Sequence, residues 1–254
     1  MGLANWSARL SPRRLGLSLG IPLEGKVVHF KPDGFVVQNG LVTGWANEVS
    51  GLVVPVFSGS TPYNAPSAVF NGHASVSVTN VDLLGGVNIT QSVGAEAGIT
   101  IFCITKMTPF TGAVGQNADG CMLWFMDAAG AINIWTGGSN SRTGLGVNTF
   151  AGDLFGEGPL PTVPDVHATR LVTTRIISGS SNTAQIYING RALVMSGPGH
   201  ATRAFTGIVY PGQVPPQTRY SFEGQYAEFL VYNRVVSDSE LSMVHTYLRN
   251  KFAL

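Results

Sequence analysis

The chain has 254 residues, 44% of them hydrophobic, which is enough to bury a sizeable core and too apolar for a disordered polypeptide. Charged residues make up only 11%, against roughly 25% in an average soluble domain, so the polar surface has to come from Ser, Thr, Asn and the backbone. A net charge of +1 argues against nucleic acid as the main partner, because neutralising phosphates takes clustered Lys and Arg.

Residues 1–23 differ in character from the remainder of the chain. They carry Arg9, Arg13 and Arg14 without an acidic residue, and Pro12 and Pro22 interrupt any regular element. The expectation is an extended N-terminal arm that orders only where a partner or the domain surface holds it. The stretch has no continuous apolar core and no small-residue cleavage site, so no signal peptide is read and synthesis in a cytoplasm is expected. No run approaches the ~18 apolar residues of a membrane span. Without secretion, the sequons at Asn5 and Asn88 carry no weight.

From residue 24 to 254 the pattern predicts one β domain. In "HASVSVT", Ala74, Val76 and Val78 alternate with Ser75, Ser77 and Thr79. "GITIFCITKM" is apolar on both parities, as a central strand covered on two sides would be. "CMLWFMD" and "AINIWTG" flank Asp127–Gly130 as a hairpin, and "RLVTTRII" and "AQIYING" flank "SGSSN" as another. Asn189-Gly190 then offers a tight turn into "RALVM". Many short strands with frequent Gly and Pro predict an all-β sandwich or barrel.

Two stretches read as long connections, from Gly137 to Asp165 and from Ser196 to about Gln217. The first holds Phe150 and Phe155 among glycines, where nothing local can bury them. Either they fold back onto the sandwich or they meet a partner. Cys103 and Cys121 both fall in apolar runs and read as two buried thiols; a disulfide would require neighbouring strands.

The last segment is the most legible. Ala227, Phe229 and Val231 alternate with Tyr226, Glu228, Leu230 and Tyr232, which predicts a strand with one well-buried face. Ser237-Asp238-Ser239-Glu240 fits the S-x-x-E capping box, with Val236 and Leu241 placed as a hydrophobic staple. Leu241, Val244, Leu248 and Phe252 form one apolar stripe, so a helix over about 238–251 is expected to lie on a sheet.

Chemistry is harder to find. The histidines, at 29, 73, 167, 200 and 245, form no H-x-x-x-H pair and read as surface or hydrogen-bonded residues. No G-x-S-x-G elbow, P-loop or D-x-D-x-D-G calcium loop is present, and "GLGVNT" lacks the third glycine of a dinucleotide fingerprint. Asp238 and Glu240 already serve a helix cap, and Glu223 and Glu228, five apart, fall on opposite strand faces. The paired carboxylates of a glycosidase are therefore missing, and neither an enzyme, a cofactor nor a metal is expected. Trp135, with Asn140 and Arg142 just beyond it, has the composition of a sugar site: an aromatic to stack on and polar groups for hydroxyls. The same Trp135 also suits the core at the end of its strand, and both readings stay open.

An ordered set of segments resembles the laminin-G-like, concanavalin A-like lectin/glucanase superfamily, in the form found in phage virion proteins. They are "GWANEVSG", "APSAVFNG", "GITIFCITK", "NTAQIYINGRAL" and the closing "GQYAEFLVYNR" strand with its capped helix. The resemblance covers roughly residues 28–254. It implies a two-sheet jelly-roll sandwich with a short C-terminal helix, a fold that hosts lectins, glycan-cleaving enzymes and virion proteins alike. The expectation drawn from it is a non-enzymatic subunit of a phage-like particle, a capsid decoration or tail/fibre protein located in the virion. Major capsid or tail proteins would be its partners, in a homo-oligomer or symmetric array, with Arg9, Arg13, Arg14, Phe150 and Phe155 as contacts. The alternative is a carbohydrate-binding module that recognises a surface glycan through Trp135, Asn140 and Arg142.

Overall fold

The computed structural model describes residues 20–58, 61–78, 83–84, 87–89, 97–107, 120–127, 130–136, 145–149, 152–156, 168–177, 184–193, 195–196, 207–211 and 224–254, the strands of the second sheet by backbone and pairing. In chain order these form β1 (Lys26–Gln38), β2 (Leu41–Asn47), β3 (Val53–Ser58), β4 (Tyr63–Ser67), β5 (His73–Val78), β6 (Leu83–Leu84), β7 (Val87–Ile89), β8 (Ala97–Met107) and β9 (Gly120–Asp127). There follow β10 (Gly130–Thr136), β11 (Leu145–Thr149), β12 (Gly152–Gly156), β13 (Arg170–Ile177), β14 (Ala184–Ile188), β15 (Arg191–Ala192), β16 (Met195–Ser196), β17 (Gly207–Pro211), β18 (Gly224–Arg234) and the helix α1 (Asp238–Phe252).

Two antiparallel sheets make a jelly-roll-like sandwich, as the strand pattern predicts. The eleven-stranded sheet runs β15-β14-β13-β8-β18-β1-β2-β3-β6, with β5 also on β18 and β4 on β5. The seven-stranded sheet runs β16-β12-β11-β10-β9-β17-β7. β18 lies between β8 and β1, so the last strand completes the middle of the sheet that the first strand begins.

The eleven-stranded sheet is buried on both faces. Val28, Phe30, Trp45, Val76, Ile99, Ile101, Cys103, Val172, Ile186, Phe229 and Val231 form one cluster. Phe102, Ile104, Leu171, Leu230 and Tyr232 form the other, together with Leu241, Val244, Leu248 and Phe252 of α1. Alternation along β8 sends successive residues to the two clusters, which is why its sequence is apolar on both parities. Each large apolar side chain buried this way contributes about 1.5–3 kcal/mol. The expectation of a single buried face for β18 is corrected here: α1 covers the second one. A register shift between Tyr226 and Glu228 also breaks the simple alternation.

α1 forms as its sequence dictates. The Ser237 hydroxyl accepts from the Glu240 amide while the Glu240 carboxylate accepts from the Ser237 amide, closing the capping box. Arg234 grips the same carboxylate with two nitrogens, at 2.9 and 2.5 Å. That guanidinium, reinforced by the Ser237 amide and hydroxyl against the cost of burial, holds the Glu240 carboxyl down at about 2. His245, inside the apolar stripe, approaches the Thr173 hydroxyl at 3.0 Å. Burial, and then the charges of Arg249 and Arg175, push it down to about 4.

These shifts predict how acid loosens the helix. Below its ordinary value of 6.5 an unfolded His245 binds a proton that the folded chain refuses until about 4. Its contribution is complete above that ordinary value and is lost as pH falls toward about 4. Glu240 adds a second loss as pH falls from its ordinary 4.5 to about 2. Thermal melts followed by far-UV circular dichroism should therefore show stability falling in two steps, and His245→Gln should remove the upper one. An unchanged profile in that variant would refute the assignment.

Both long connections are corrected. The Gly137–Asp165 stretch contains the hairpin β11–β12, and the Ser196–Gln217 stretch contains β17. β11 and β12 are short and contain glycine, and β17 carries only the three-residue run Ile208-Val209-Tyr210 between Gly207 and Pro211, so none stands out by pattern alone. The predicted hairpins β9–β10, β13–β14 and β14–β15 are present, the last turning through Asn189 and Gly190 at φ 50° and 83°. Cys103 is a free, buried thiol. It sits on β8 in one sheet while Cys121 sits on β9 in the other, so the strands a disulfide would need are not neighbours.

Candidate functional site

Among the described side chains the densest polar cluster is a chain of charges running from β2 to α1. His29 of β1 is 1% exposed and lies between two carboxylates. Its Nδ1 is 2.5 Å from Glu48 Oε2 and its Nε2 is 2.8 Å from Glu228 Oε1. Lys31 binds the other Glu48 oxygen at 2.5 Å, and Lys251 of α1 binds the other oxygen of Glu228. Burial pushes the Glu48 carboxyl up, but the Lys31 hydrogen bond and the His29, Lys31 and Lys26 charges outweigh it and hold it below the ordinary range. Asn47 braces the turn, accepting from the amides of His29 and Val49 and donating to the Val27 carbonyl. His29 and the fully buried Glu228 have no surface from which to reach a ligand. This cluster ties β1, β18 and α1 together, as the reading of hydrogen-bonded histidines implies, and supplies no exposed acid/base pair.

The seven-stranded sheet is different. Cross-strand register assigns its residues to two faces, because directly paired positions share a face and neighbours along a strand do not. One face carries Val87, Leu123, Phe125, Ile132, Ile134, Val147, Leu154 and Val209. The other carries a row of Ala131, Met126, Ile208 and Asn88 across β10, β9, β17 and β7, and beside it two rows richer in polar and aromatic residues. In the first, Asp153, Asn148, Asn133, Trp124 and Tyr210 are consecutive partners across β12, β11, β10, β9 and β17. The second holds Ser196, Phe155, Gly146, Trp135 and Cys121 across β16, β12, β11, β10 and β9.

Trp135 and Phe155, twenty residues apart in sequence, thus fall in one cross-strand row with Gly146 between them. Phe150, Asn140, Arg142, Arg9, Arg13 and Arg14 lie outside the described residues. The arm's last residues are tied down: Ile21 packs on the helix-side cluster, and Tyr232 Oη donates to the Pro22 carbonyl at 3.1 Å. Sequence reasoning missed Trp124, Asn133, Asn148, Asp153 and Tyr210. The signal was the alternation Ala131-Ile132-Asn133-Ile134-Trp135, which already separates a polar parity from an apolar one. Among the described residues no cluster of three His, Cys, Asp or Glu is placed to hold a metal ion.

No protein-family model matches the chain, and no curated protein matches it by sequence. Solved structures do. Domain 4 of an extracellular GH43 arabinanase from Geobacillus stearothermophilus, in complex with arabinotriose, aligns with TM-score 0.54 at 12% identity over 85% of this chain and 96% of that one. The sialidase of Trypanosoma rangeli, with 2,3-difluorosialic acid as a covalent intermediate, aligns with TM-score 0.53 at 13% identity. That alignment takes in 91% of this chain, which spans only 33% of the sialidase. The binding domain of Paraclostridial Mosquitocidal Protein 1 aligns with TM-score 0.50 at 10% identity, over 89% of this chain and 53% of that one. At these identities the likeness shows the fold, a β-sandwich shared by glycosidase-associated and binding domains.

Proposed function

We propose that this chain is a non-enzymatic carbohydrate-binding sandwich whose ligand lies on the face of the seven-stranded sheet to which register assigns Trp124 and Trp135. The observation that carries the reading is the division of that sheet by register. One parity holds Val87, Leu123, Phe125, Ile132, Ile134, Val147, Leu154 and Val209, and the other brings together Trp124, Trp135, Tyr210, Asn88, Asn133, Asn148 and Asp153, beside Met126, Ile208 and Ala131. Aromatic rings offer flat apolar surface to the C–H faces of sugars, and amides satisfy hydroxyls. Asp153 is the sole carboxylate among the described positions of that face, whereas glycoside hydrolysis in its common form uses two. A solved neighbour bound to arabinotriose fits the same reading.

Trp124→Ala and Trp135→Ala test it. Each should weaken binding to a retained glycan about tenfold to a hundredfold by titration calorimetry, with little change in melting temperature. A large fall in melting temperature with glycan binding intact would place the tryptophan in the core and refute the site.

The second reading, a structural subunit of a phage-like particle docked through the 1–23 arm, rests on the ordered segments of resemblance. All of them fall in the eleven-stranded sheet and its helix, leaving the seven-stranded face free, so the two roles are compatible. Sedimentation of the chain with intact particles, at a fixed ratio to their major shell protein, is the measurement that tests it.

A further inference from the structure

We infer that the Asn39-Gly40 turn is a self-modifying site, where the asparagine loses ammonia and becomes aspartate or isoaspartate without an enzyme. The chain contains three Asn-Gly pairs, at 39–40, 71–72 and 189–190. All three adopt the same left-handed conformation, with the asparagine φ at 50–51° and the glycine φ at 76–83°. Backbone conformation therefore does not separate them. Their hydrogen bonds do.

The reaction begins when the glycine backbone nitrogen attacks the asparagine Cγ. An N–Cγ bond forms, the Cγ–Nδ2 bond breaks, and Nδ2 leaves as ammonia with the proton that the backbone nitrogen gives up. Water then opens the resulting succinimide ring at either carbonyl, and nothing is oxidised or reduced. At Asn71 both reacting groups are engaged. Its Nδ2 donates to the Lys251 carbonyl at 2.9 Å, and the Gly72 amide donates to the Ser67 carbonyl at 2.7 Å. At Asn189, Oδ1 accepts from the Leu171 amide at 2.8 Å, and the Asn189 amide donates to the Leu171 carbonyl at 2.8 Å. Each of those pairs has to be broken before the side chain can swing onto the glycine nitrogen.

The tip of the β1–β2 hairpin is different. Gln38, Asn39 and Gly40 are all exposed, and among the described residues no hydrogen bond holds the Asn39 side chain or the Gly40 amide. The Tyr63 amide binds the Gly40 carbonyl, at 2.9 Å, which leaves the attacking nitrogen free. Space around Gly40 is open, with nothing within 4 Å of a Cβ built there, so water can reach the ring. The product places a carboxylate beside the exposed Val36, Val37 and Leu41 and takes the net charge from +1 to zero. Isoaspartate also inserts one carbon into a two-residue turn closed by the Gln38–Leu41 pair, which disturbs the register of the hairpin tip.

The test incubates the full chain in mildly alkaline buffer, folded and in concentrated urea, and follows each asparagine by tandem mass spectrometry of proteolytic peptides. In the folded chain Asn39 should convert at least about tenfold faster than Asn71 or Asn189, the factor that a pair of hydrogen bonds supplies. In urea the three rates should draw together. Asn39→Gly, which suits a left-handed turn, should remove the acidic species that ion exchange resolves from the ageing parent. Equal rates at the three sites in the folded chain would overturn the assignment, as would an acidic species undiminished in Asn39→Gly. Conversion of Asn39 in urea but not in the folded chain would overturn it too, because the hairpin would then protect the site.

Discussion

Glu228→Ala melts roughly 10 °C below the parent chain, a loss of about 3–5 kcal/mol. The carboxylate is fully buried and both its oxygens are engaged, one by His29 Nε2 at 2.8 Å and one by Lys251. Removing it leaves an imidazole and an ammonium facing a cavity, and desolvated donors without an acceptor are the expensive outcome. Because Lys251 belongs to α1 and His29 to β1, the damage spreads from β18 to one paired strand and to the helix that covers it. Glu228→Gln keeps the shape and one acceptor oxygen, and should lose markedly less. The double variant with His29→Leu should recover part of the alanine loss, because it removes one stranded group. Denaturant titrations of the parent, Glu228→Ala, His29→Leu and the double variant give the coupling directly. A loss below about 1 kcal/mol for Glu228→Ala would mean that water enters and solvates the site.

Gly98→Ala is the second large effect. Gly98, the second residue of β8, has φ at 153°, and a Cβ built there would stand 2.2 Å from the Ile176 carbonyl oxygen of β13 and 2.5 Å from a Val235 methyl. The nearest obstacle is backbone in a paired strand, so relief requires the β8–β13 ladder to open at its Gly98–Ile177 end. Strain and overpacking together cost on the order of 3 kcal/mol. Gly40→Ala is the control, with φ at 76° but nothing within 4 Å, so it should cost only the backbone term, about 1 kcal/mol. Equal losses in the two variants would show that the contact with Ile176 is not what matters.

How far the molecule was legible depends on the range of the interactions. Local ones were readable: the Ser237–Glu240 box, the apolar stripe of α1, the Asn189-Gly190 turn and the β9–β10 and β13–β14 pairings. β11 and β12 were not, because "LGVNT" and "GDLFG" mix glycine with residues of weak strand preference, and β17 was not, because its strand-favouring Ile208-Val209-Tyr210 run is cut to three residues by Gly207 and Pro211. The His29–Glu228 link joins residues 199 apart, which no spacing rule can see. The candidate face lay between these extremes. Alternation in β10 exposed Asn133 and Trp135, but joining them to Asp153, Asn148, Trp124 and Tyr210 takes the register of four further strands.

The position of β18 has a consequence for the growing polypeptide. While a ribosome is still making the residues before it, β1 and β8 both wait with unpaired hydrogen-bonding edges, and neither apolar cluster of the larger sheet can close. Folding of that sheet is then a late event, in which a strand slots between two others already formed and brings its helix down as a lid. Such an order makes for slow acquisition of the native state and a long interval in which sticky edges are bare. Holding the chain apart from its copies during that interval is work for a chaperone or for dilution, rather than for the finished domain.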